Sequence, residues 1–270
     1  MASFDFVECS AQSYRFFWEN RFVAVRLCAL ALAVKVLSYV VFIVLGMEKE
    51  VLQQGILLMP SYLLEGWVIA HLIVMALRLK EADGPTDKHK FIGADTDMRA
   101  NIKASMILYG LTMLVLSLVV GSSMNIEQLG EAAASEEPMQ TGMLGMIVIM
   151  VGIAFSIWSF RLFWLYVPMI LGMAPLKFLQ VFSDFKVSFH FIGAWLLCFM
   201  PMIIVLLIGS QALGGALELI GVVQDTIVYD VVIVIFQASI NFVMALVSSV
   251  AIAFGVHSVL RGENEKTEIW

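Results

Sequence analysis

Long apolar runs alternate with short polar stretches along the chain, and the lengths of those runs set the first expectation. Six reach or exceed the ~17–25 residues that cross a hydrocarbon core of about 30 Å. They are Phe22–Gly46, Ile56–Leu79, Ala104–Val120, Met143–Met169, Phe189–Ile208 and Ile227–Leu260. The last is too long for that core, so it is expected to tilt or protrude. A shorter stretch, "ALGGALELIGVV" (Ala212–Val223), is rich in glycine and holds Glu218, and reads as a surface or half-inserted helix. The expected fold class is therefore all-α: one integral membrane domain, a bundle of about six transmembrane helices.

Two amphipathic stretches flank the runs. Phe4–Asn20 sets Phe6, Val7, Tyr14 and Phe17 against a polar remainder and predicts an interfacial helix over 1–20. Pro175 opens a second over 175–188, where Leu176, Leu179, Phe182 and Phe185 are expected to share an apolar face. Spans one to three then occupy 22–120, an acidic external loop 121–142, spans four to six 143–260 and a tail 261–270.

Composition agrees: hydrophobic residues make up 61% and charged residues 14%, and the mean hydropathy is +0.92. Soluble domains are nearer half apolar and a quarter charged. The net charge of -6 says little about partners, because charge in a membrane protein is read loop by loop. Fourteen of the sixteen Lys and Arg fall on one side of the expected topology; Lys35, inside a span, and Lys49 are the exceptions. The positive-inside rule then places both termini in the cytoplasm. The start of the chain has no basic stretch ahead of an apolar core, so no cleavable signal is expected.

Charged groups at mid-depth cost about 2.5–3.5 kcal/mol each on insertion scales and need a partner or a purpose. Lys35 on span one and Glu65 on span two fall at similar depth on sequential antiparallel neighbours, which predicts an intramembrane ion pair. That pair is either a lock between helices or part of an ion pathway. His71, His190 and His257 map near the cytoplasmic ends of spans two, five and six, in the layer of Arg161, as an interfacial polar cluster. They have no paired spacing and no carboxylate cluster, so no metal or haem is expected. Arg161, Lys177 and Lys186 are the candidate grip on an anionic lipid headgroup, with Arg161 snorkelling toward the interface.

Gln237 and Asn241, four apart on span six, are expected to hydrogen-bond between helices. The seventeen methionines are spread along the spans as adaptable packing. Cys9, Cys28 and Cys198 form no CxxC pair and read as buried bystanders. No GxSxG, HExxH, Walker A or GxGxxG pattern appears, and no loop is long enough for a soluble catalytic domain. The chain is not expected to be an enzyme or to bind nucleic acid.

One stretch carries a resemblance. A span ends in Arg161 and Pro168, Gly172 follows, Pro175 starts an amphipathic helix with Leu176, Phe178 and Ser183, and Phe189 enters the next span. With the opening "AQSYRFFWENRFVAVRL", this resembles the YciC-like and glycerophosphodiester-phosphodiesterase membrane-domain superfamily. The resemblance implies an all-helical bacterial inner-membrane protein linked to envelope or lipid matters, without the soluble catalytic domain. The expected function is structural: organising a membrane complex or lipids, with a bound phospholipid, other membrane subunits or a second copy as partners, and no cofactor. The alternative is a small proton- or ion-coupled transporter using Lys35 and Glu65, with Asp230 as a further coupling group. A lipid-modifying enzyme or electron carrier is a third reading, supported by the histidines alone.

Overall fold

The computed structural model describes residues 4–45, 51–82, 98–133, 143–224 and 226–267. Its helices are α1 (Phe6–Glu19), α2 (Arg21–Leu45), α3 (Val51–Ala82), α4 (Met98–Ala133), α5 (Met143–Ser159), α6 (Tyr166–Ile170), α7 (Pro175–Val181), α8 (Phe185–Leu219) and α9 (Ile227–Thr267). A 3-10 segment, Phe160–Trp164, joins α5 to α6, and no strand occurs among the described residues. Six of these helical stretches are long and apolar enough to cross a membrane, the fourth running through α5, the 3-10 segment and α6. The chain is thus an all-α, multi-pass membrane protein.

Packing follows a broken ring. α4 lies on α3, α3 on α2 and α9, α2 on α9, and α9 on α8; α5 and the 3-10 segment lie on α8, while α6 turns back onto α4 and α9. No substantial packing joins α4 to α5 or to α8 among the described residues.

Several boundaries differ from the sequence expectation. Ala212–Leu219 is not a separate surface helix but the last two turns of α8, since a glycine-rich run stays helical when a partner helix packs on it. Tyr229 on α9 fills the notch at Gly214, where a Cβ would lie 2.8 Å from its hydroxyl, and Phe236 fills the one at Gly209, at 2.3 Å. The hairpin closes at Gly221, whose φ of +84° favours glycine. Its tip is an apolar skin: Leu219, Ile220, Val223, Ile227 and Val228 are all exposed. α4 stays helical through Ala133, into the stretch expected to be loop. The rest of that loop, together with Lys49, Lys88 and Lys90, lies outside the described residues, as do the side chains of Arg261 and Lys266.

The second amphipathic helix is shorter than expected. α7 stops at Val181, and the Asp184 carboxylate caps α8 by accepting from the Lys186 N–H at 3.0 Å. Phe178 and Phe182, one turn apart, face the core and pack on Phe191; Leu176 and Phe185 are exposed. The buried stripe is thus offset from the one the spacing predicts.

α1 does more than lie on a surface. Asp5 caps it, accepting from Val7 and Glu8 N–H groups at 2.9 and 3.2 Å. Its small face then docks on α8 and α9: the Ser13 hydroxyl donates to the Val247 carbonyl at 2.7 Å, and Tyr14 donates to the Cys198 carbonyl at 2.8 Å. Phe4 and Phe6 seat against Gly255 and Gly193. Lys80 of α3 reaches the same helix, donating to Gln12 at 2.8 Å over the Phe254 ring.

All three cysteines are free and buried. Burial beneath this docked helix pushes the Cys9 thiol up to about 11, with Lys80 partly offsetting. Because the folded state holds the proton more tightly, the contribution of Cys9 to stability is intact below the unfolded thiol value and falls as pH rises through it toward 11. N-ethylmaleimide should leave Cys9 unlabelled in the native protein at pH 8, and Cys9→Ala should flatten the loss of stability between pH 9 and 11. Rapid native labelling at pH 8 would show that α1 is not docked.

Candidate functional site

The polar residues of the bilayer interior converge on one point. Lys35, on the inner face of α2, and Glu65, on α3, are 6% and 2% exposed. Lys35 Nζ donates to Glu65 Oε2 at 2.8 Å. The other carboxylate oxygen, Oε1, accepts from the Tyr109 hydroxyl of α4 at 2.6 Å. The ammonium also stands over the Phe242 ring of α9, 5.6 Å from its centroid. Opposite charges plus a phenol donor satisfy both oxygens of a carboxylate that is 2% exposed, which is what a buried ion pair needs.

Backbone geometry makes this possible. A Cβ on Gly66, the residue after Glu65, would lie 3.0 Å from Tyr109 Cβ and 3.2 Å from Met106 Cα, so glycine lets α3 and α4 approach. Tyr109 also meets Tyr166 of α6 edge-on, centroids 5.0 Å apart. Tyr166 in turn pairs its hydroxyl with Ser249 of α9 at 2.8 Å, and Ser105 of α4 donates to the Tyr166 carbonyl at 3.0 Å. The cluster therefore ties α2, α3, α4, α6 and α9 together.

The fourth span supplies the remaining wall by breaking. Pro168, in the first turn of α6, has no N–H to offer the Trp164 carbonyl, so the regular hydrogen-bond ladder of the span is interrupted there. The chain instead tightens into the 3-10 segment and re-forms as α6, turning Phe160, Trp164 and Tyr166 inward. Pro201, by contrast, sits inside an unbroken α8. Irregular backbone in a span is tolerated where it is covered by protein or lines a cavity.

Here it lines one. A cavity of about 470 Å³ opens beside the ion pair, lined by every span. Lys35, Glu65, Tyr39, Tyr62, Tyr109 and Asn241 form its polar side, and Phe160, Phe163, Trp164, Trp195, Phe199 and Met244 its apolar side. Trp195 and Phe199 stack at 4.3 Å with ring planes 27° apart. Trp164 is 6% exposed and its indole Nε1–H has no hydrogen-bond partner. The volume and the mainly apolar lining with few polar groups suit a small lipophilic ligand.

The other candidate residues are dispersed. Arg161 does not snorkel: it is 1% exposed, its guanidinium donates to the carbonyls of Phe182 and Trp158 and lies over the Trp158 ring at 4.6 Å. Phe182 is the C-cap of α7, so the cation satisfies a terminal carbonyl. Lys177 and Lys186 are exposed, and the structure does not join them to Arg161. His71 bonds the Trp67 carbonyl of its own helix and packs on that ring, while His190 packs against Phe4 and Phe6. His257 is buried in α9. No group of three His, Cys, Asp or Glu with metal-binding geometry occurs among the described residues. Asp230 lies in the first turn of α9, where a carboxylate complements the helix dipole, and does not line the cavity. Gln237 is exposed, whereas Asn241 faces the cavity.

The tyrosines and Trp164 escaped the sequence reading. The signal available for Tyr109 was a phenol at mid-span followed by Gly110, opposite Glu65 and Gly66. No protein-family model, curated protein or solved structure matches this chain.

Lys35→Met alone leaves the Glu65 carboxylate without its cation and should destabilise by about 3–5 kcal/mol. The double change Lys35→Met/Glu65→Met should recover most of that loss in detergent unfolding; equal losses would mean the two are not coupled. Gly66→Val, which forces α3 from α4, should cost about 1–3 kcal/mol by the same measurement.

Proposed function

We propose that this protein has a structural, lipid-organising role in its membrane, holding a lipophilic molecule inside the bundle beside the Lys35–Glu65–Tyr109 cluster. One observation carries the reading: a cavity of about 470 Å³ with aromatic walls lies within the spans, and the only charged residues on its lining among the described residues neutralise each other. A pure packing scaffold has no use for such a space, because well-packed interiors close voids larger than a water molecule. The mainly aromatic and aliphatic lining with a few polar groups at one end supports a binding role. We place the protein in a bacterial inner membrane with both ends of this chain cytoplasmic, from the one-sided distribution of Lys and Arg and the resemblance in the Arg161–Phe189 stretch. Exposed Lys177 and Lys186 beside α7 suit anionic headgroups on that side.

A second reading, ion-coupled transport, rests on the pair lining the cavity and on the interrupted fourth span. Its weakness is the pairing itself: both oxygens of Glu65 are already engaged.

Purification into nanodiscs from native membrane, followed by native mass spectrometry, separates these. Retention of one lipophilic molecule per chain, lost on Trp195→Ala/Phe199→Ala, is the expected result. A bare chain, with proton flux in proteoliposomes abolished by Glu65→Gln, would replace the first reading with the second.

A further inference from the structure

Resting on the reading of the cavity as a lipophile site, we infer that its ligand is an uncharged molecule bearing a carbonyl oxygen, a quinone-type ring or a glyceride ester, that enters sideways from the hydrocarbon.

The charge follows from the site's neutrality. Among the described residues Lys35 and Glu65 are the only ionised side chains on the lining, and they stand 2.8 Å apart. A phosphate or free carboxylate brought beside them adds a net charge that nothing in the cavity balances, and uncompensated charge in a low-dielectric interior is costly. An uncharged head avoids that cost.

The carbonyl follows from the donor count. Trp164 Nε1–H is donor-only and has no partner, and its nitrogen has essentially no accessible surface, so the indole must turn to meet a ligand. Lys35 spends one ammonium hydrogen on Glu65, and the Tyr39 and Tyr62 hydroxyls line the same space. The carboxylate goes the other way: Glu65 Oε1 and Oε2 are both already taken, by Tyr109 and Lys35, and the Asn241 amide brings two hydrogens with its one oxygen. A site with donors to spare and its carboxylate consumed selects an acceptor. In an uncharged lipophile that acceptor is a carbonyl oxygen. The stacked Trp195–Phe199 pair and Phe160, edge-on to Trp195 at 5.6 Å, give the flat apolar surface against which a ring or the glyceride's first methylenes pack.

The route follows from the ring of helices. α4 does not pack substantially on α5 or α8 among the described residues. Leu116 of α4 and Phe163 of the 3-10 segment line the cavity at this gap and are each 37% exposed. A membrane-dissolved molecule reaches the cavity through this seam without crossing a headgroup layer.

The test uses the full chain in phosphatidylcholine nanodiscs, with three probes added singly: a short-tailed benzoquinone, dioleoylglycerol and oleate. Occupancy is read by native mass spectrometry across a concentration series. Saturable binding of one uncharged probe per chain is expected, with oleate at least tenfold weaker; benzoquinone alone assigns a ring, dioleoylglycerol alone an ester. Trp164→Phe should weaken the bound probe about fivefold to tenfold, the loss of one hydrogen bond. Tyr62→Phe, which removes only a hydroxyl, is the companion variant should Trp164→Phe not fold. Tighter binding of oleate than of either uncharged probe overturns the inference while leaving a lipophile site in place. Wild-type affinity in both variants also overturns it. Failure of all three probes to bind takes the underlying cavity reading down with it.

Discussion

A carboxylate cannot sit alone in hydrocarbon, and the arrangement of this bundle answers to that constraint. Glu65 needs a cation and a second donor at once, and the two come from different helices, Lys35 on one side and Tyr109 on the other. Both contacts have short reach, so α2, α3 and α4 are fixed in register to within a fraction of a turn. Lipid offers no hydrophobic drive for one apolar helix to choose another, which leaves small-residue contacts and polar bonds to decide. Gly66 provides the close approach and Glu65 the bond, side by side in sequence. The same residues that specify the fold thus also define the polar end of the cavity.

The far wall has a different origin. Pro168 interrupts the fourth span, and an interrupted span exposes carbonyls and tightens the backbone. Arg161 reaches across to the last carbonyl of α7 and stacks on Trp158, which holds the 3-10 segment against the turn that follows. A cation at a helix C-terminus is favourable on its own account. The positive charge in an otherwise apolar segment is therefore a fastener between two short helices. It holds in place the aromatic residues that face Glu65.

Much of this was legible in the sequence. Six spans follow from run length, and the Lys35–Glu65 contact follows from matched depth on neighbouring antiparallel helices. Other features were hidden because they depend on which face of a helix meets a partner. The stripe of α7 was displaced, with Phe178 and Phe182 buried in place of Leu176 and Phe185, because the break after α6 sets its rotation. The glycine-rich Ala212–Leu219 stretch read as a separate surface or half-inserted helix, yet it continues α8, with Gly214 as a socket for Tyr229 and Gly209, just before it, as one for Phe236. Tyr39, Tyr62 and Trp164 carry no charge, so hydropathy treats them as ordinary membrane residues. Arg161 shows the opposite failure: a charge at a span end invites snorkelling, and only the position of the Phe182 carbonyl reveals otherwise.

The α8–α9 hairpin has a consequence for the lipid around it. α8 has 35 residues, about 52 Å of helix, and α2 has 25, about 37 Å. The excess on the hairpin is clad largely in Leu219, Ile220, Val223, Ile227 and Val228, with Glu218 the exposed carboxylate among them. One flank of the molecule thus asks for a thicker hydrocarbon layer than the other. Acyl chains beside the hairpin are stretched relative to those beside α2, at a modest energetic cost for each ångström of mismatch. That cost is reduced wherever two such flanks share one thickened patch of bilayer.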